Sequence, residues 1–497
     1  MKSAVFKFLR SGALAMMAVF CLAGCSHKEP EPTVPPYGWL REKAEYLTVL
    51  ASEEDFALLE ECVNLQYLDL TGSTCYDAIL DYIARHPQVE VIYAAPLGNQ
   101  ILTNSETGTA LEPGTYEEAT LLRQLKYLPA LTTLEFPRTN LAVEQIANIQ
   151  EAYPDLTIRY SVELLGKEYL PEDTQADFSG AAPEQLDELI AAFPLLPNLT
   201  EAELMDEAGT CLLSPADVKQ LMDAAPQIQF HYTFDLFGKT LSCTEESVDF
   251  VDVAIGDEGE AQIRAALDIM PHCTYFKLED CGMSNEVLAS IRDDYPDTKI
   301  VWRVYLGQYS LCTDEETLRT VYGVYNEYAD TLKYCTALKY IDMGHNNTLS
   351  DISFIEYMPD LEIVILSGSA IKDVDPFAVC KKLEWLELAN CTALKDISAL
   401  ESCESLRFLN ISFSLVKDLT PIENLPLERF LYLQPRVNWE DREAFKENHP
   451  DCWIRFTGSD PFSLGWRYND IGITRFEYYQ KIRDIFNYDE VDKRLAK

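Results

Sequence analysis

Between Thr336 and Leu433 five apolar phrases recur at nearly constant spacing, and this period limits what the chain can fold into. They read Leu338-x-x-Ile341-x-Met343, Leu361-x-x-Val364-x-Leu366, Leu383-x-x-Leu386-x-Leu388, Leu406-x-x-Leu409-x-Ile411 and a degenerate Leu427-x-x-Phe430. Their first leucines fall 23, 22, 23 and 21 residues apart. A unit of that length cannot bury its apolar face alone and must stack on its neighbours. Within each phrase the alternation is that of a short strand, whose successive side chains face opposite ways. Leu386 and Leu388 therefore point to one side, and Trp385, Glu387 and Ala389 to the other. One strand per repeat predicts a parallel sheet with strands ~4.8 Å apart. Its inward leucines form a continuous core, each contributing ~1.5–3 kcal/mol when fully buried.

A second phrase alternates with the first: Leu349-x-Asp351-Ile352, Ile371-x-Asp373-Val374, Leu394-x-Asp396-Ile397 and Val416-x-Asp418-Leu419. Its aspartates are expected to cap turns through side-chain-to-backbone bonds. Both phrases resemble the leucine-rich repeat (LRR) family in its short bacterial class of about 22 residues. Leu383 to Cys391 matches L-x-x-L-x-L-x-x-[NC] at every defined position. The resemblance implies an α/β fold, a single LRR solenoid with a parallel sheet on its concave face. It identifies a scaffold and leaves the ligand unnamed.

Residues 1–24 read as a lipoprotein signal peptide. Lys2, Lys7 and Arg10 open it, and the apolar run Ser11–Leu22 is too short for a membrane span. It ends Leu22-Ala23-Gly24-Cys25, which looks like the lipobox of bacterial lipoproteins and implies that Cys25 carries lipid; the alternative is an ordinary secretory signal. Residues 25–38 form a Pro-rich tether. Residues 25–497 carry 37 Lys+Arg against 82 Asp+Glu, a net charge of about −45. That balance argues against nucleic acid, which needs a basic footprint, and against docking on an anionic bilayer surface. Attachment is expected through the lipid, on the extracytoplasmic side of the cell membrane, with the protein a monomer.

In residues 39–335 the repeats are longer and less regular. Leu65-x-x-Leu68-x-Leu70, Leu131-x-x-Leu134-x-Phe136, Leu199-x-x-Ala202-x-Leu204 and Cys273-x-x-Phe276-x-Leu278 each lead into a helical stretch and a proline, at Pro87, Pro154, Pro226 and Pro296. An alternating segment follows, and a glycine closes each unit at Gly98, Gly166, Gly238 and Gly307. Each long unit is read as two fused repeats, with added helix over Tyr116–Leu128, Pro183–Phe193 and Glu258–Met270. Residues 336–433 hold the regular short repeats. Residues 434–497 read as a C-terminal cap for the solenoid's apolar end, with Phe476, Tyr479, Ile482 and Phe486 at helical spacing.

Catalytic signatures are missing. There is no G-x-S-x-G, H-E-x-x-H, P-loop or G-x-G-x-x-G, and no His pair or C-x-x-C has metal-ligand spacing. No cofactor, metal or catalysis is expected. Twelve cysteines remain beyond Cys21 and Cys25. Cys62, Cys335, Cys380 and Cys403 share a register with Leu128, Leu196, Met270 and Met358, so they are expected as buried, mostly reduced hydrophobes. Cys281 and Cys391 fall where the LRR family bonds the turn backbone.

Strand geometry turns two columns outward: Tyr340, Ile363, Trp385 and Phe408 in one, Asp342, Ile365, Glu387 and Asn410 in the other. An apolar patch with an acidic border marks an interaction site if it is open. Otherwise the cap or a long insert folds over it. An open patch makes Trp385 and Tyr340 the anchors, and Trp385→Ala then costs about 2 kcal/mol of binding without moving the Tm. A sharp fall in Tm would instead place Trp385 in the core. The sequence reading is thus a membrane-anchored LRR protein binding an unidentified protein, peptide or glycan. The alternatives are a structural component of the envelope and, more remotely, an unrecognised hydrolase.

Overall fold

The computed structural model describes residues 43–490; the signal segment, Cys25 and the tether lie outside them. The chain divides into two compact units, Met1–Thr233 and Phe234–Lys497. Its fold is an α/β leucine-rich-repeat solenoid, assembled from short parallel strands.

In the first unit the strands form three parallel three-stranded sheets. They comprise Tyr46–Thr48, Tyr67–Asp69 and Glu90–Ile92; Gly108–Ala110, Thr133–Phe136 and Thr157–Tyr160; and Gln175–Asp177, Glu201–Glu203 and Gln229–His231. Antiparallel hairpins interrupt the run, pairing Ala94–Leu97 with Gln100–Thr103 and Val162–Leu164 with Lys167–Tyr169. The glycines read as closing each unit sit in these turns, Gly98 at φ 58° and Gly166 at φ 75°. The two-repeat reading of the long units therefore missed a strand and a hairpin. The extra strands, Gly-Thr-Ala at 108–110 and Gln-Ala-Asp at 175–177, are three residues long with at most one buried side chain each, too little to register as a period.

After a two-stranded sheet of Thr233–Leu236 and Lys239–Ser242, the second unit continues with Ser247–Val251, Tyr275–Glu279 and Lys299–Val301, then a hairpin of Arg303–Leu306 and Tyr309–Cys312. A seven-stranded parallel sheet follows: Thr317–Arg319, Tyr340–Asp342, Ile363–Ile365, Trp385–Glu387, Phe408–Asn410, Arg429–Leu431 and Trp453–Arg455. The five apolar phrases supply its middle strands in the expected register, Tyr340 beside Ile363, Trp385 and Phe408. Leu338, Ile341, Leu361, Val364, Leu386 and Leu409 are buried on the inward side.

Opposite the strands the short repeats turn through 3-10 segments, and the longer ones carry α-helices. The backbone N–H groups of Ser353, Ser398 and Thr420 donate to Asp351, Asp396 and Asp418 at 3.0, 2.8 and 2.9 Å, the expected turn caps. Helices Tyr76–Arg85, Val143–Ala152, Pro215–Ala224, Asn285–Asp294 and Trp439–Asn448 each stop one residue short of a proline (Pro87, Pro154, Pro226, Pro296 and Pro450), because the residue before proline is pushed out of the helical region. Among the described residues eight of the twelve cysteines are buried, whereas Cys62, expected to be buried, is half-buried. Cys391 donates its thiol to Leu366 O at 3.4 Å and Cys281 donates to Glu279 O at 3.4 Å, the turn-bonding role implied by the resemblance.

The C-terminal region departs from the simple cap. Trp439–Asn448 and Trp453–Arg455 complete one more repeat, but Pro461–Tyr488 folds back over the outward strand face. Its helix, Glu477–Ile485, places Tyr479 and Ile482 against that face, with Phe486 just beyond.

Candidate functional site

The outward columns of the regular repeats are present as read, but they are covered. Ile363, Ile365, Trp385, Phe408, Glu387 and Asn410 are all 2% exposed or less. The four apolar ones, Ile363, Ile365, Trp385 and Phe408, form one cluster with Leu431, Leu433, Trp466, Tyr479, Ile482 and Phe486. The expectation of an open patch anchored by Trp385 is thereby corrected. The column is apolar because it receives an apolar segment of the same chain.

Trp385 lies at the centre. Its ring is 4.4 Å from Trp466, 5.7 Å and nearly parallel to Tyr478, and 5.3 Å from Phe408. Phe408 in turn meets Tyr478 at 4.5 Å and Phe476 at 5.5 Å. Arg429 stacks its guanidinium 3.9 Å from the Phe476 ring and donates to Gly465 O at 2.5 Å. Tyr340, half-buried, packs against the cluster and donates its hydroxyl to Glu362 at 3.2 Å.

The second column supplies acceptors. Glu387 is fully buried and receives the Trp466 indole N–H at 2.6 Å, the Ser367 hydroxyl at 3.1 Å and the Arg467 guanidinium. Asp342 receives the Tyr488 hydroxyl and the Gly344 N–H, and burial pushes its carboxyl above the ordinary range although the tyrosine bond pulls the other way. Asn410 donates Nδ2 to Pro461 O at 2.8 Å. Along the rim the Tyr478 hydroxyl donates to Glu384 at 2.7 Å. Beneath the segment a cavity of about 300 Å³ remains, lined in part by Arg319, Asp342, His345, Phe462, Arg467 and Tyr488.

Sequence reasoning missed the partners of these columns: Pro461, Trp466, Arg467, Tyr478 and Tyr488. A signal was present. The tail is dense in aromatics and carries arginines, matching an aromatic column bordered by Asp342, Glu384 and Glu387.

In residues 43–233 the strand face is open. Tyr46 is 67% exposed, with its ring 6.2 Å from that of Tyr67 on the adjoining strand. Asp69, Glu135, Glu201 and Glu203 continue the face, with Arg159 3.5 Å from Glu135 and His231 3.8 Å from Glu201. A cleft of about 650 Å³ opens here, its lining including Glu135, Arg159, Tyr160, Glu168, Leu170 and Glu172. Among the described residues no group of three or more His, Cys, Asp and Glu side chains is placed to hold a metal ion.

The geometry defines an LRR-fold scaffold with one strand face covered and another open. Solved structures of similar architecture include an internalin from Listeria monocytogenes, at 15% identity and TM-score 0.26, matching 73% of this chain and 85% of that one. An LRR protein of Leptospira interrogans is similar at 14% identity and TM-score 0.28, over 80% of this chain and 92% of that one. A second Listeria monocytogenes internalin matches at 19% identity and TM-score 0.22, over 29% of this chain and 75% of that one. These scores are low, and the repeat architecture stands on the strand register of the chain itself. No protein-family model matches the chain, and no curated protein matches it either.

Proposed function

We propose that this chain is a non-catalytic binding scaffold, tethered outside the cytoplasm by lipid on Cys25, that takes a protein, peptide or glycan partner on the open strand face of residues 43–233. The observation that carries this reading is that face itself. Tyr46 and Tyr67 stand on adjoining strands of its first sheet, Glu135 lines the 650 Å³ cleft at the second, and Glu201 and Glu203 lie on the third. Exposed aromatic rings next to carboxylates suit a basic or hydroxyl-rich partner, since rings stack on apolar faces and carboxylates accept from ammonium, guanidinium and hydroxyl groups.

Capture from envelope extract and a glycan array, both using the soluble chain from Gly38, test the reading. Tyr46→Ala with Tyr67→Ala, and separately Glu168→Lys with Glu172→Lys, should each weaken capture at least about tenfold with little change in Tm. Capture that survives both pairs of substitutions would remove this face from consideration.

A further inference from the structure

Pro461–Tyr488 touches the repeats as a bound peptide would. Among the described residues its loop and turn backbone hydrogen bonds close within the segment, as in Phe476 N to Arg467 O at 3.0 Å and Gln480 N to Phe476 O at 3.0 Å. The sheet ends at Trp453–Arg455 and gains no strand from it. What joins segment to groove is side-chain recognition: stacked rings on Trp385 and Phe408, and point contacts at Glu387, Asp342, Glu384 and Asn410.

Two further features separate this segment from an ordinary core element. It leaves the last repeat at Gly458, whose φ of 141° lies outside the range favoured by side chains. The fit is also incomplete. The Trp385 indole packs against Trp466, Tyr478 and Tyr479 of the segment and is hidden from solvent, yet its Nε1–H is buried with no acceptor. A buried, unpaired donor is a standing cost, so the internal occupant does not use everything the groove offers.

We infer that residues 459–490 are an internal ligand that leaves the groove as a unit. The vacated groove then accepts a peptide segment from another protein with the same chemistry: clustered aromatic rings, an arginine for Glu387, and an acceptor for Trp385 Nε1. This interaction goes beyond the scaffold reading and uses different residues from the open face. Each can therefore fail without the other.

The probe is a fluorescent synthetic peptide spanning residues 459–490, added to the full soluble chain. In the unaltered chain the internal segment competes at high effective concentration, which lowers apparent affinity by the small fraction of open groove. Arg467→Ala in the chain removes the partner of Glu387 and loosens the internal copy. The unaltered peptide should then bind this variant saturably and at least about tenfold more tightly than it binds the unaltered chain. A peptide carrying Arg467→Ala should lose that advantage. A folded Arg467→Ala chain that takes no peptide overturns the inference. Hydrogen exchange on the unaltered chain decides the matter if the variant does not fold. Amides of Glu477–Ile485 should exchange through an opening that leaves strands Ile363–Ile365 through Arg429–Leu431 protected. Exchange of helix and strands together, in one global event, overturns it as well.

Discussion

Removing the indole at position 385 takes away a side chain that touches four aromatic rings and no solvent. Trp385→Ala should therefore cost about 3–5 kcal/mol of stability, read as a lowered denaturant midpoint. A midpoint within experimental error of the parent would mean that the segment does not cover this residue in solution. Asp342 sits in the same covered layer, facing Arg319, Glu387, Arg467 and Tyr488, with His345 also lining the adjoining cavity. Its carboxyl is raised in the fold by burial, so protonation favours the closed arrangement. That contribution is fully present below the ordinary carboxylate value of about 4 and is lost as pH rises through the folded value. Stability of the covered layer, followed by Trp fluorescence, should rise on acidification in this window, and Asp342→Asn should flatten that response. The thiols were more legible. Alternation of cysteine with leucine and methionine announced burial, and burial holds the thiols of Cys335, Cys380 and Cys403 up to about 12. Few are thiolates at neutral pH, so oxidation is slow. Thiol counting in denaturant without reductant should find at least half of the twelve free.

At the scale of elements, a three-residue strand is legible when it repeats and invisible when it does not. The strands at Ile363, Trp385 and Phe408 announce themselves because each brings the same apolar neighbours at the same spacing. Those at Gly108 and Gln175 bury at most one side chain and follow a hairpin, so they carry no period of their own. The C-terminal helix was legible from Phe476, Tyr479, Ile482 and Phe486, but its destination was not. Amphipathic spacing says that one face is buried without saying against what. The turn before that helix depends on Gly465, at φ 76°, where an added Cβ would stand 2.0 Å from the Trp453 ring. Backbone strain and the clash act together, and Gly465→Ala should destabilise the covering segment by about 1–3 kcal/mol. Limited proteolysis reads this directly: cleavage within 459–475 should accelerate while the repeats stay intact. Unchanged cleavage would show that the turn tolerates the change and that the close approach to Trp453 is not maintained.

For the molecule as a whole, charge and attachment belong together. At about −45 for residues 25–497, the chain gains nothing from an anionic membrane surface and is repelled by it. Among the described residues no helix is long and apolar enough to cross a membrane. The lipid proposed on Cys25 would resolve this tension, since it would hold the repeats to a bilayer without requiring their own surface to touch it. A single acyl chain binds membranes only marginally, whereas two or more anchor stably; the resemblance of Leu22–Cys25 to a lipobox implies more than one. Cys25→Ala should consequently move the protein from the detergent phase to the aqueous phase of a detergent partition, or leave it unprocessed with its first 24 residues attached, which an intact-mass measurement distinguishes. On this proposal salt should have little effect on the parent's partitioning, because acyl chains rather than charges would hold it. A Cys25→Ala chain that still partitions with detergent, at the mass of the processed form, would refute attachment at this cysteine and return the segment to an ordinary secretory signal.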